Sequence, residues 1–156
     1  MGEGLRQRIK QERFESPVQE AILSLLVAAD HLQSATQLVC EEQGITRGQF
    51  NVLRILKGVY PAGHPRCEIA VRMVERAPDI TRLVDRLEKA GLVERARGDE
   101  DRRQSVTRIT KQGIQLLERL QPRMETLTSE LSRQLTRADC ETLTELCERI
   151  FAEEKR

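Results

Sequence analysis

Between Pro78 and Gly91, six polar residues, Asp79, Thr81, Arg82, Asp85, Arg86 and Lys89, lie opposite an apolar stripe of Ile80, Leu83, Val84 and Leu87. That i, i+3, i+4, i+7 spacing is one face of an amphipathic helix. Arg82 and Arg86 stand one turn apart, and each guanidinium offers two parallel N–H donors to a planar pair of acceptors. Asp79 can only accept, and Thr81 can do both. Near a helix N-terminus, Asp79, Thr81, Arg82 and Arg86 are suited to reading the hydrogen-bonding edges of base pairs, with Arg82 best spaced for a bidentate contact to guanine. The plainer alternative is a solvated helix face whose arginines are bridged by Asp85 and Glu88.

The elements around this helix follow from local signals. Ser16-Pro17-Val18-Gln19 carries an N-cap, a proline at the first helical position and a Gln able to reach back. Ile22, Leu25, Leu26, Ala29, Leu32 and Val39 then predict a long helix to about Glu42, ended by Gly44. Thr46-Arg47-Gly48-Gln49 is a capping box ahead of Phe50, Leu53, Ile55, Leu56 and Val59, a short helix. Residues 60–65 carry two prolines and a glycine and read as an irregular loop. A third short helix fits Cys67 to about Met73, with Ile69, Ala70 and Met73 inward, and Pro78 opens the polar-faced helix described above. After Gly91, Leu92–Arg97 and Gln104–Ile109 read as two strands of a hairpin joined by a polar link at 98–103. Thr110 caps a further helix with the stripe Ile114, Leu117, Leu120, Met124, Leu127 and Leu131, bent by Pro122 near Glu118. Thr136-Arg137-Ala138-Asp139 caps the last helix, where Cys140, Leu143, Cys147 and Ile150 repeat at 3-4-3 spacing, a coiled-coil-like seam.

Three helices joined by short turns and followed by a hairpin form a winged helix-turn-helix. The fold class expected is therefore mainly α with a small β-hairpin wing and about six helices. Four segments are expected: a flexible tail (1–15), an N-terminal dimerisation helix (16–43), the winged helix-turn-helix (44–110) and C-terminal dimerisation helices (111–156). The chain has 156 residues, 33% of them charged and only 3% aromatic, with no Trp. So thin a supply of large core side chains predicts that Ile22, Leu26, Cys140, Leu143, Cys147 and Ile150 are covered by a second subunit.

The net charge is +1, but the stretch Arg66–Lys111 carries +3 and the remainder −2, so the basic part is the centre. No nucleophile elbow, phosphate loop or paired-His metal motif occurs, and two histidines are few for acid–base work, so no enzyme is indicated. Four cysteines without a CxxC pair indicate neither a zinc knuckle nor a dithiol centre, and no metal or cofactor is expected. The N-terminus lacks a signal-peptide pattern and no apolar run is long enough to span a bilayer, which predicts a cytoplasmic, nucleoid-associated protein without membrane contact.

The strings GITRGQFNVLRIL at 44–56, ITRLVDRLEKAGLVER at 80–95 and DRRQSVTRITKQG at 101–113, in this order and spacing, resemble the MarR (multiple antibiotic resistance) family of regulators. The resemblance covers roughly Ser16 to Ile150. It implies a homodimer built from the first, fifth and sixth predicted helices, with two winged lobes on a pseudo-palindromic double-stranded DNA operator. It also implies wing contacts: Arg103 in the minor groove, Asp101 turned back to hold its guanidinium, and Arg97 and Arg102 on phosphates. A regulator of this kind needs an input. A small aromatic or phenolic effector would find polar partners among His31, Arg54, Tyr60 and His64. The other input is a thiol switch, for which Cys67 beside Arg66 is the best candidate. A winged helix that binds protein partners instead of DNA is the rival reading. One departure from the family stands out: Met73-Val74-Glu75-Arg76-Ala77-Pro78 joins the third and fourth predicted helices without the usual glycine. Asp79 also stands where Ser or Thr is more usual, and it can accept from cytosine N4.

Overall fold

Ser16 starts the long helix as its sequence predicts, its hydroxyl accepting the Gln19 N–H at 3.1 Å. In this computed structural model, which describes residues 3–75, 79–97 and 105–152, the elements are α1 (Glu3–Ile9), α2 (Pro17–Glu41), α3 (Arg47–Lys57), α4 (Arg66–Arg72), α5 (Ile80–Lys89), β1 (Val93–Arg97), β2 (Ser105–Ile109), α6 (Lys111–Ser132) and α7 (Arg137–Phe151). The chain divides into two compact units, Met1–Leu120 and Gln121–Arg156.

In the first unit, α3 packs on α2, α4, α5 and β2, and α5 packs on β1. The core is aliphatic: Val52, Leu53 and Leu56 of α3, Ile69 of α4 and Val84 and Leu87 of α5 are fully buried, closed by Leu92, Val93, Val106 and Ile109 of the hairpin and Leu116, Leu117 and Leu120 of α6. β1 and β2 pair antiparallel from Val93↔Ile109 to Arg97↔Ser105. The predicted stripe of α6 missed Leu116, which is buried. In the second unit, α7 opens with a full capping box between Thr136 and Asp139 and buries none of its residues. The Thr136 hydroxyl and backbone N–H, both donating to the Asp139 carboxylate, hold its pKa below the ordinary carboxylate value.

The local expectations are met in part. Residues 1–15 were expected to be a flexible tail, but α1 forms there, with Leu5 buried and Arg6 stacked 5.8 Å over the Phe14 ring. One leucine and one ring supply the contacts that a polar composition hides. Gln19 does reach back, yet it accepts from the Glu15 N–H at 2.7 Å rather than from Ser16. Asp79 is the N-cap of α5, its carboxylate accepting the Arg82 N–H at 2.9 Å, while Pro78, expected to open this helix, lies outside the described residues. Thr110 caps α6 as expected, accepting from Gly113 N–H at 3.1 Å, while its hydroxyl donates to Gly91 O at 2.7 Å.

The loop at 60–65 is also less irregular than its prolines suggest. His64 forms a one-residue bridge to the wing, with His64 N–H donating to Thr107 O at 3.0 Å and Thr107 N–H donating to His64 O at 2.8 Å. Gly63, at φ 81°, makes the approach possible: a Cβ there would sit 2.5 Å from Thr107 O and 2.7 Å from Arg108 Cγ. Gly63→Ala is expected to destabilise the chain by about 1–3 kcal/mol, measured as a lower urea midpoint. An unchanged midpoint would show that the loop yields freely.

Candidate nucleic-acid interface

α5 presents its polar face from a well-anchored base. Val84 and Leu87 are fully buried, whereas Asp79, Thr81, Arg82, Arg86 and Lys89 are exposed. The acidic residues of that helix are not left facing outward unpaired. Arg95 of β1 forms an ion pair with Asp85 and a second with Glu88 at 3.4 Å. Asp85 and Glu88 therefore do not bridge the helix's own arginines, as the plainer sequence alternative supposed. Among the described residues, Arg82 and Arg86 have no ion pair. Arg95 was missed in the sequence; the signal was the period-2 alternation of β1, which puts it on the face of the buried Val93, toward α5.

Thr81 is held in part by α4, since Arg66 Nη1 donates to its hydroxyl at 3.3 Å. Arg97, at the end of β1, is exposed and pairs with Ser105 in the ladder. Asp101, Arg102 and Arg103 lie outside the described residues, as does Gln104 at the predicted start of the second strand.

The four residues proposed for an effector are dispersed in their bonding. His31 is exposed on α2. Arg54 lies 5.9 Å over the Phe50 ring. Tyr60 is half exposed. The His64 ring accepts from Arg72 Nε at 3.2 Å. No hydrogen bond or ion pair joins any two of the four among the described residues.

The cysteines differ sharply. Cys67 and Cys140 are exposed and Cys147 is half-buried, while Cys40, which sequence reasoning passed over, is fully buried at the end of α2. Its signal was its place after Val39 and before Gly44-Ile45: Ile45, also buried, donates back to Cys40 O at 3.2 Å. Burial pushes the Cys40 thiol up from 9.0 to about 11, with Arg47 opposing and Glu41 adding. In the native protein near neutral pH, an alkylating reagent is expected to modify Cys67 and to spare Cys40 until the chain unfolds. Early labelling of Cys40, read by peptide mass spectrometry, would contradict its burial. Because the folded value is the higher one, keeping this thiol protonated favours the fold fully below about pH 9, and that advantage is lost as pH rises toward 11.

A helix-turn-helix completed by a hairpin, with arginines on the outer face of its last helix that have no ion pair among the described residues, defines a winged-helix transcription regulator. The MarR family model matches residues 45–105, the segment from the start of α3 to the wing. A MarR transcription factor of known structure from Planctomyces limnophilus is 36% identical, with a TM-score of 0.62, over 88% of this chain and 98% of that one. The homoprotocatechuate degradative operon repressor of Escherichia coli is 28% identical over 83% of this chain and 86% of its own length. The transcriptional repressor CouR, solved bound to a 23-mer DNA duplex, is 25% identical with a TM-score of 0.73, over 89% of this chain and 98% of that one. The chain belongs to the MarR family of transcription regulators.

Proposed function

We propose that the chain is a homodimeric, sequence-specific repressor that grips a pseudo-palindromic DNA operator and is released by a small aromatic or phenolic effector. The observation that carries the DNA reading is the charge sorting of α5: Arg95 takes up Asp85 and Glu88, leaving Arg82 and Arg86 without acidic partners among the described residues. In the groove, Asp79, Thr81, Arg82 and Arg86 meet base edges, and Arg97, Asp101, Arg102 and Arg103 form the wing contact. Because Asp79 already caps α5 through one carboxylate oxygen, only its other oxygen is left for a cytosine amine. The DNA complex of CouR supports this reading.

Residues 16–43 and 111–156 serve as the dimerisation arms. Ile22 and Leu26 on α2 and Leu143 and Ile150 on α7 are all about half exposed or more, and Cys140 is exposed. So much exposed apolar surface on the arms favours a partner subunit. The aromatic effector is supported by the relative named for the homoprotocatechuate operon, and His31, Arg54, Tyr60 and His64 are its candidate polar contacts. No catalytic activity is assigned, and the place of action is the cytoplasm; among the described residues no helix is long and apolar enough to cross a membrane.

The test is a gel shift on the DNA upstream of the chain's own gene at two salt concentrations, with random-sequence DNA as competitor. Retardation that survives the competitor supports the repressor, and a stable protein complex without retardation supports the protein-binding alternative. Arg103→Ala is expected to weaken operator binding and to reduce the salt slope by about one unit. Wild-type affinity in that variant would remove the wing from the interface.

A further inference from the structure

The segment between α4 and α5 sets where the reading helix starts, and its described part is secured in an unusual way. α4 stops when Met73 turns extended, at φ −64° and ψ 135°. Val74, the next residue, is 85% exposed, so no apolar burial fixes it. Instead its N–H donates to Asn51 Oδ1 at 2.9 Å, and Glu75 pairs with Arg47 Nη2 at 2.6 Å. Asn51 and Arg47 are four residues apart on α3, hence on one face of that helix, and they reach two consecutive residues of the turn. Arg47 is itself tied down: its backbone N–H donates to Gln37 Oε1 of α2 at 2.9 Å, and Gln37 Nε2 donates to Glu41 at 2.7 Å. A chain of polar contacts thus runs from α2 through α3 to Val74 and Glu75, the first residues of the segment that leads to α5.

We infer that Asn51 and Arg47 are positioning residues for DNA recognition, a polar clamp that sets the α4–α5 turn and with it the angle at which Arg82 meets the groove. The inference rests on the DNA-reading role of α5. Neither residue contacts DNA in this scheme. Loss of the clamp should cost discrimination between sequences and leave phosphate-driven binding intact, since specificity comes from base-edge contacts and salt dependence from phosphates. Asn51 is the cleaner member to test, because Asp retains an oxygen that can accept the Val74 N–H and Leu does not.

The experiment pairs two readouts on Asn51→Leu, Asn51→Asp and Arg47→Gln. Hydrogen exchange by mass spectrometry should show faster exchange of the peptide spanning residues 73–79 in Asn51→Leu and Arg47→Gln, with the α5 core peptide unchanged and Asn51→Asp close to wild type. Fluorescence anisotropy should show about fivefold weaker binding of the upstream DNA by Asn51→Leu, the effect of losing one hydrogen bond of roughly 1 kcal/mol. Affinity for random-sequence DNA and its salt slope should stay at the wild-type values. Unchanged exchange in both variants overturns the clamp, and so does full operator preference in a variant whose turn has lost protection. If the wild-type protein itself fails to prefer the upstream DNA, the DNA-reading role fails and this inference falls with it.

Discussion

Gly113→Ala lowers the stability of the folded chain by about 3 kcal/mol or more, the upper end of what overpacking a tight core costs. For a chain of this size that is a fall in Tm of roughly 6–12 °C. The cause is geometric. Gly113 lies in the first turn of α6, where it is buried, and a Cβ there would sit 2.3 Å from Leu92 O and 2.7 Å from Ile109 Cγ1. One neighbour is backbone and the other a core side chain, so neither can step aside cheaply. The alanine would gain up to about 1 kcal/mol of helix propensity, which the clash outweighs. Gly48 in α3 is the control. Its Cβ would meet Leu83 at 3.6 Å, an ordinary contact, so Gly48→Ala is expected to be neutral or to stabilise. Thermal melts of the two variants decide the matter, and a Gly113→Ala protein as stable as wild type would mean that α6 can lift away from the hairpin at little cost.

The second large effect falls on binding. Arg82→Ala combined with Arg86→Ala is expected to weaken operator binding by about 10²-fold or more, each bidentate base contact being worth roughly 1–3 kcal/mol. Both residues are exposed and outside the core, so melting temperature should hardly move. Anisotropy titrations with operator and random-sequence DNA separate the outcomes. Equal losses on both DNAs would reduce the two arginines to phosphate contacts. No loss on either would take α5 out of the groove.

What could be read in the sequence was what neighbouring residues decide. The stripe Ile80, Leu83, Val84, Leu87 and the capping boxes at Thr46 and Thr136 depend on side chains three or four positions apart, and both boxes are present. Asp79 shows the limit of even local reading, because its place at the start of a polar face marked it for base contact and only the fold shows its carboxylate capping α5. Contacts across the chain were not legible at all. The pairing of Arg95 with Asp85 and Glu88, the Asn51 bond to Val74 and the bridge at His64 depend on how β1 meets α5, α3 meets the segment after α4, and the loop at 60–65 meets β2, which no single window of sequence records. α1 escaped notice for a related reason: one buried leucine is too weak a periodic signal to rise above a polar background. Of the site, the helix arginines were legible as a pattern, whereas the electrostatic neutrality of their neighbours had to come from the fold.

The bridge between His64 and Thr107 bears on how this protein can vary. Both of its hydrogen bonds are made by main chain, so the side chain at 64 is not needed to hold the loop to the wing. Pro65 reinforces the arrangement by biasing the residue before it toward extended backbone. Position 64 should accordingly accept almost any amino acid except proline, which would remove the donor to Thr107 O. In a saturation library scored for folding, this site should be among the most permissive in the first unit, while its neighbour Gly63 should be among the least. The side chain at 64 is left with a contact of its own, the bond its ring accepts from Arg72 at 3.2 Å, and that bond can be lost without the wing losing its anchor.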